Sequence, residues 1–344
     1  MHTDTAALTP LIDRFGRRVT YVRVSITDRC DFRCLDCMSE EMTFLPRPEI
    51  LTLEEIQRVC AAFVSMGVDK IRITGGEPLI RKGAVDLMAG LAGLAGLREL
   101  VLTTNGSQLQ ALAPAIKAAG VRRINISLDS LKPERFRQLT RVGELNTVLA
   151  GLDAALAQGF ERIKINAVIL RHRNRDEVED LVRFAIGRGI DISFIEEMPL
   201  GQVDGHNRYE EFCSSNELRE ALARAFELLP VPDSSGGPAR YWKVVGTSTR
   251  VGFISPHSHN FCGDCNRVRL TAEGRLLLCL GNEHSVDLKS VLRDGAGDDE
   301  HLKQVIRSAM AIKPERHEFD LAAPQPVILR HMNLTGCGAA RSNS

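Results

Sequence analysis

YVRVSITDRCDFRCLDCMSE, residues 21–40, joins an apolar, β-branched run to a loop carrying three cysteines spaced C-x3-C-x2-C. Five further runs of the same kind follow: KIRITG, ELVLTT, RINISL, RIKINAVIL and DISFIEEM, beginning near residues 70, 98, 122, 162 and 190. Each of the six is followed by a helical pattern. In the first such segment Thr52 and Glu55 form a capping box, and Ile56, Val59, Cys60, Phe63 and Val64 make one apolar face. Gly67 ends that helix, and Cys60, lying on its stripe, reads as a small buried hydrophobe. Six consecutive βα units predict a parallel sheet curled as a full or partial barrel.

In such folds chemistry gathers at the C-terminal ends of strands, and the unusual residues stand there. The cysteines follow strand one, GGEP (75–78) strand two, Thr103 and Asn105 strand three, and Ser127 and Asp129 strand four. Strand five carries Lys164 and Asn166, and Met198 follows strand six. After about residue 200 the rhythm changes. Residues 215–229 read as a helix, DSSGGPAR as a connector, and YWKVVG, RVGFIS, RVRLT and GRLLLCL as short strands, with helices from about 286 and 299. The expected organisation is a barrel over residues 1–200, a smaller portion over 201–335 packed against it, and a tail over 336–344.

The 344 residues, 44% hydrophobic and 26% charged, have a globular composition. Lys+Arg and Asp+Glu both number 44, so no net charge draws the chain to nucleic acid or an anionic membrane. An anionic ligand must be held by local clusters. The longest apolar stretch, LMAGLAGLAGL, is about half of what a spanning helix needs, and the N-terminus lacks a secretory pattern. A cytoplasmic, reducing setting is expected, in which clustered cysteines act as metal ligands and not as disulfides. The odd total of nine cysteines agrees.

Cys30, Cys34 and Cys37 supply three ligands from one loop, whereas a structural zinc site takes four. A 4Fe-4S cluster held by three thiolates keeps one iron open for a ligand. Zinc completed by a distant residue stands as the alternative. Cys262, Cys265 and Cys279 form a second trio, spaced C-x2-C-x13-C, for which a Cys3His zinc site using His257 or His259 is the rival. Arg267 and Arg269, two apart on a predicted strand, project toward one face beside it and suit an anion. Cys213 has no evident partner and reads as an ordinary thiol.

The first cysteine loop together with GGEP resembles the radical S-adenosylmethionine (SAM) superfamily. From YVRVSITDRC through KIRITGGEPLIR, LTTNG, INISLD, KINAVI and FIEEMP to FCGDCNRVRL, roughly residues 12–335, the chain resembles the GTP 3',8-cyclase family within it. The resemblance implies an incomplete (β/α)6 barrel of the TIM type, closed by the C-terminal portion, in a homodimer. It implies two 4Fe-4S clusters facing one chamber: Cys30, Cys34 and Cys37 hold the SAM cluster, and Cys262, Cys265 and Cys279 the auxiliary one. Asp36, Gly76, Ser127 and Met198 match SAM-contacting positions. Arg23, Arg72, Thr103, Lys164, Arg267, Val268 and Arg269 match GTP-contacting ones, with Arg267 and Arg269 also assisting the rearrangement.

The implied reaction opens molybdenum cofactor biosynthesis. A 5'-deoxyadenosyl radical takes hydrogen from ribose C3', and the carbon radical attacks guanine C8. The product passes to cyclic pyranopterin monophosphate synthase, and an electron donor such as flavodoxin or ferredoxin drives the cycle. No G-x4-G-K-[ST] loop occurs, so cationic side chains must replace a backbone phosphate cradle. The rival readings are another radical SAM enzyme with an auxiliary cluster, and a zinc-binding interaction module.

Three departures from the family pattern carry expectations. Asp36 stands where an aromatic is usual, and its charge predicts weaker SAM binding or a lowered cluster potential. Ser193 replaces a common Arg and Ser39 a common Pro. Relatives end in two glycines, but here MNLTGCGAARSNS continues past Gly336 with Cys337 in second place, which predicts impaired or tail-regulated turnover.

Overall fold

The six apolar runs become six parallel strands: β1 (Tyr21–Ser25), β2 (Lys70–Thr74), β3 (Glu99–Thr104), β4 (Arg123–Ser127), β5 (Arg162–Val168) and β6 (Asp191–Ile195). The computed structural model of the chain describes residues 10–201, 203, 206–232, 237–294, 298–321, 328–329 and 332; Cys337 and the tail fall outside these. Neighbours in sequence are neighbours in the sheet. Helices Leu53–Ser65, Ala84–Ala92, Leu109–Ala118, Leu145–Ala157 and Val178–Gly187 make the crossovers, with Pro133–Thr140 beside the fourth. The first helix has the capping box of Thr52 and Glu55, and all five residues of its expected apolar face are buried.

Alternation along the strands sorts the two faces of the sheet. Val22, Val24, Ile71, Ile73, Ile124, Ile126, Ile163, Ile165, Ile192 and Phe194 are buried in the apolar core with the helices. The intervening Tyr21, Arg23, Arg72, Thr103, Asn125, Ser127, Lys164 and Asn166 line a single interior cavity. Polar and charged residues therefore line the lumen, unlike the packed apolar interior of a closed eight-stranded barrel.

The C-terminal portion adds β7 (Leu228–Val231), β8 (Arg240–Val244), β9 (Arg250–Ile254), β10 (Arg267–Leu270), β11 (Arg275–Leu277) and β12 (Ser285–Asp287). These strands continue the barrel sheet itself, in the order β12-β11-β10-β1-β2-β3-β4-β5-β6-β9-β8-β7. β10 lies parallel to β1 and β9 parallel to β6, so both edges of the six-stranded unit are covered. The outermost strands β12 and β7 do not pair with one another among the described residues, and the barrel stays open.

Two expected elements differ in extent. The helix anticipated over 215–229 ends at Leu222, and Leu228–Val231 pairs with β8. Pro230 fits the strand that replaces the rest of the expected helix, because an edge strand tolerates its missing N–H. The helix anticipated from 286 begins at Leu288, after β12. No helix among the described residues is long and apolar enough to cross a membrane.

Candidate active site

Strand register explains how two distant cysteine trios come to share one chamber. Cys30, Cys34 and Cys37 follow the C-terminal end of β1, and Cys262 and Cys265 precede the N-terminal end of its parallel neighbour β10. β11 returns antiparallel to β10, pairing Arg269 with Leu277, so Cys279 arrives level with Arg267 beside Cys265. The thirteen-residue gap is therefore one hairpin. From Tyr21, opposite Arg267, to Ser25 at the end of β1 is four residue steps, or about 13 Å of strand between the two sites.

GGEP straps the first trio in place. Gly76 N donates to Thr27 O at 2.7 Å, and Glu77 N donates to Arg29 O at 2.8 Å. A Cβ on Gly76 would stand 2.2 Å from Arg29 O, so only glycine allows this approach. Fully buried Glu77 accepts from Leu79 N at 2.9 Å, Thr104 Oγ1 at 2.8 Å and Asn105 N at 2.7 Å, tying the turn to the end of β3. Burial pushes its carboxyl up to about 8. Asn105 in turn donates to Asp31 Oδ1 at 2.7 Å and lies 4.0 Å from Cys30 Sγ.

A brace unforeseen in the sequence completes the loop. Arg141 has φ +61°, the one positive-φ non-glycine among the described residues, and is the central residue of a γ-turn closed by Val142 N to Thr140 O at 2.8 Å. This strained turn aims its guanidinium at Arg33 O (3.2 Å) and Met38 O (2.9 Å), on either side of Cys34 and Cys37.

Three rows of side chains cross the lumen. Arg269, Arg23 and Arg72 are register partners on β10, β1 and β2. Thr103, Asn125 and Lys164 form a row on β3, β4 and β5, and Ser127, Asn166 and Ser193 one on β4, β5 and β6. Arg72 is held by Tyr21 Oη at 2.5 Å and Thr103 Oγ1 at 2.9 Å, and Lys164 donates to Tyr241 Oη at 3.1 Å. Burial raises the Tyr21 phenol, but Arg72, Arg23 and Lys70 outweigh it and bring the group down to about 7. Burial, with Arg23 and Arg267 nearby, holds the Arg269 guanidinium well below its usual range. Such a set favours a polyanion.

The opposite end is acidic. Asp36 is half-buried near Glu197 and Asp129; burial and the Glu197 charge push it up to about 6. Burial and the Asp36 charge push Asp129 up to about 8, although its Oδ1 accepts from Val168 N at 2.8 Å. Asn166 Oδ1 and Glu197 Oε2 are buried without a hydrogen-bond partner among the described residues, and both residues line the cavity. Unmet acceptors in such a place fit a ligand rich in donors and positive charge.

Of the expected site residues, Arg23, Cys34, Asp36, Cys37, Arg72, Thr103, Ser127, Lys164, Met198, Cys262, Cys265, Arg267, Val268, Arg269 and Cys279 all line this chamber. Val268 is 1% exposed and belongs to the apolar core, so its main chain is what faces the lumen. Cys30 and Gly76 lie in the adjoining strap. Ser193 is buried beside Gly252, and the ring of Tyr241 crowds the same spot: a Cβ on Gly252 would meet Ser193 Oγ at 2.5 Å and Tyr241 Cε1 at 2.8 Å.

His257, one of the two histidines considered as zinc ligands, is engaged elsewhere. His257 Nε2 is paired with Glu197 O at 2.9 Å, and its ring stacks edge-on against Phe212. Among the described residues no three His, Cys, Asp or Glu side chains are grouped so as to hold a single metal ion.

An open α/β barrel with a C-x3-C-x2-C loop after its first strand and a GGEP strap after its second defines a radical SAM enzyme, and residues 24–185 match the Radical SAM superfamily. Residues 190–319 match Molybdenum Cofactor Synthesis C. Within the superfamily the chain belongs to the GTP 3',8-cyclase family. It is 62% identical over 327 residues to the GTP 3',8-cyclase of Pseudomonas entomophila, covering 95% of this chain and 98% of that one. It is 57% identical over 326 residues to that of Saccharophagus degradans, with the same coverage. Among solved structures, SuiB of Streptococcus suis bound to S-adenosylmethionine superposes with a TM-score of 0.60 at 17% identity, over 86% of this chain and 69% of that one, a likeness of fold alone.

Proposed function

We propose that the protein is a radical SAM GTP 3',8-cyclase, converting GTP to (8S)-3',8-cyclo-7,8-dihydroguanosine 5'-triphosphate in the first step of molybdenum cofactor biosynthesis. The observation that carries this reading is a chamber of two polarities between two cysteine trios. Carboxylates surround the end beside Cys34 and Cys37, and Arg23, Arg72, Lys164, Arg267 and Arg269 line the rest. A sulfonium suits the first and a nucleoside triphosphate the second.

Cys30, Cys34 and Cys37 would hold one 4Fe-4S cluster, and Cys262, Cys265 and Cys279 a second. Together with SAM, the first cluster supplies one-electron radical chemistry when bound. The chain's own residues bind and orient. Gly76 main chain, Ser127, Met198 and the main chain at Asp36 contact SAM. The cationic rows grip the triphosphate with Thr103 and the main chain at Val268, so the nucleotide is positioned and not hydrolysed. Arg267 and Arg269 stabilise charge as the nucleotide rearranges.

The family supports four further parts of the proposal: a homodimer, a cytoplasmic setting, flavodoxin or ferredoxin as electron donor, and cyclic pyranopterin monophosphate synthase as the next enzyme. The functional division follows residues 1–200 for SAM chemistry and 201–335 for the second cluster. Anaerobic reconstitution, iron counting and incubation with SAM, a reductant and GTP test the whole. About eight irons per chain, 5'-deoxyadenosine and a cyclised nucleotide are expected. Stoichiometric zinc with no SAM cleavage would overturn it.

A further inference from the structure

Behind the second cysteine trio lies a buried cation that the binding scheme does not use. Lys313 follows the short turn Met310–Ile312 and is 1% exposed. Its ammonium donates to Leu278 O at 2.9 Å and to Cys265 Sγ at 3.5 Å. Among the described residues no carboxylate pairs with it; Leu278 O carries only a partial charge. A lysine buried against neutral groups alone is costly, and the Cys265 sulfur is the group in contact with it that can carry a balancing charge.

The chain takes care to fix it there. Arg17 reaches from the N-terminal hairpin, donating from Nη1 to Cys262 O and Glu315 O, each at 2.7 Å, and from Nη2 to Pro314 O at 2.6 Å. Asp13 Oδ2 holds Arg17 Nε at 2.6 Å. One buried guanidinium thus straps the segment that starts at Lys313 to the loop that starts at Cys262.

The first trio has a different neighbourhood. Cys30 Sγ accepts from the neutral Phe32 N at 3.4 Å and lies 4.0 Å from neutral Asn105 Nδ2, with Asp31 directly behind that amide. Asp36 stands between Cys34 and Cys37 in the chain, near Glu197 and Asp129. Hydrogen bonds to ligand sulfur and net charge near a cluster both set its reduction potential.

We propose that Lys313 is a positioning residue of the second cluster, whose ammonium, hydrogen-bonded to the Cys265 sulfur, raises that cluster's reduction potential above that of the first. The inference rests on the reading that Cys262, Cys265 and Cys279 hold a 4Fe-4S cluster.

The test is a potentiometric titration of the reconstituted full chain, both clusters followed by electron paramagnetic resonance and iron counted in each preparation. Lys313→Gln keeps a donor and removes the charge, Lys313→Met removes both, and Lys313→Arg keeps both. In the Gln and Met variants the reduced-to-oxidised ratio of the second cluster at fixed potential falls about tenfold, equivalent to 59 mV for a one-electron couple. The first cluster stays where it was, and Arg restores the second. The Gln variant carries the test if Met does not load iron. About eight irons with an unmoved second midpoint in Lys313→Gln overturns the role of Lys313. A parent that loads only about four irons overturns the second cluster itself, a distinct result.

Discussion

Among the described glycines, Gly76 is the one where an added methyl group should do the most damage. The new Cβ would lie 2.2 Å from Arg29 O, 2.6 Å from Arg29 C and 2.7 Å from Asp28 O. All three are main-chain atoms of the cysteine loop, so no rotamer relieves the clash. To reach ordinary contact at 3.4 Å from Arg29 O the turn must retreat by about 1.2 Å, which stretches the 2.7 Å bond from Gly76 N to Thr27 O beyond hydrogen-bonding range. Two main-chain bonds at about 1 kcal/mol each, with overpacking at about 1–3 kcal/mol, give a loss of about 3–5 kcal/mol. Displacement of that size near Cys30 should also weaken SAM binding at least about tenfold, since misplacements near 1 Å cost this much or more. Urea denaturation of the metal-free protein reads the first effect, and calorimetric titration of SAM into reconstituted protein reads the second. Gly75→Ala, whose Cβ would meet Thr27 O at 2.9 Å, should give a smaller version of both. Stability within about 0.5 kcal/mol of the parent and an unchanged SAM affinity in Gly76→Ala would refute the strap.

Three more outcomes are expected. Asp36→Asn removes one of three neighbouring carboxylates, so the first cluster's midpoint should rise, the Asp129 carboxyl should fall from about 8 and, because this acidic end suits a sulfonium, SAM binding should weaken, the reverse of the expectation drawn from sequence; equal affinities and potentials would count against a role for this charge. Lys164→Met should raise KM for GTP at least about tenfold through loss of a charge-assisted contact, with SAM affinity unmoved; a change in SAM affinity alone would assign Lys164 to the wrong ligand. Tyr21 is lowered from 10.0 to about 7, so its contribution to stability is fully present above pH 10 and is lost as pH falls toward 7. Urea midpoints of the parent should therefore gain more between pH 7 and pH 9 than those of Tyr21→Phe, and parallel profiles would show that the phenol does not ionise in this window.

Much of the fold was legible because period-two alternation survives on every barrel strand except β3, where Leu100, Val101 and Leu102 are all apolar. The runs beginning at Tyr21, Lys70 and Arg162 are strands from their first residue. The chamber residues were legible for the same reason, since spacing by two puts Arg267 and Arg269, or Lys164 and Asn166, on one face. What the linear pattern does not encode is which edge a late strand joins. β9 and β10 look alike as short apolar runs, yet one pairs with β6 and the other with β1. Contacts that depend on such pairing were hidden too: Tyr241 reaches Lys164 only because β8 lies beyond β9. Lys313 and Arg141 left no signal either, one resembling a solvated lysine and the other depending on a backbone turn that arginine rarely adopts.

The seating of β10 against β1 also sets a clock on biosynthesis. Thr20 and Asn266, hydrogen-bonded neighbours in the finished protein, are 246 positions apart in the chain. At roughly 5–20 residues per second, a ribosome needs about 12–50 s to deliver the partner after the first strand has emerged. Throughout that interval β1 presents an uncovered row of peptide groups, the kind of edge that recruits strands from other chains. Nascent chains halted before residue 267 should aggregate or bind chaperones, whereas those released after β11 should not. The second cysteine trio, completed by Cys279 at the far end of the β10–β11 hairpin, can come together only after that seating.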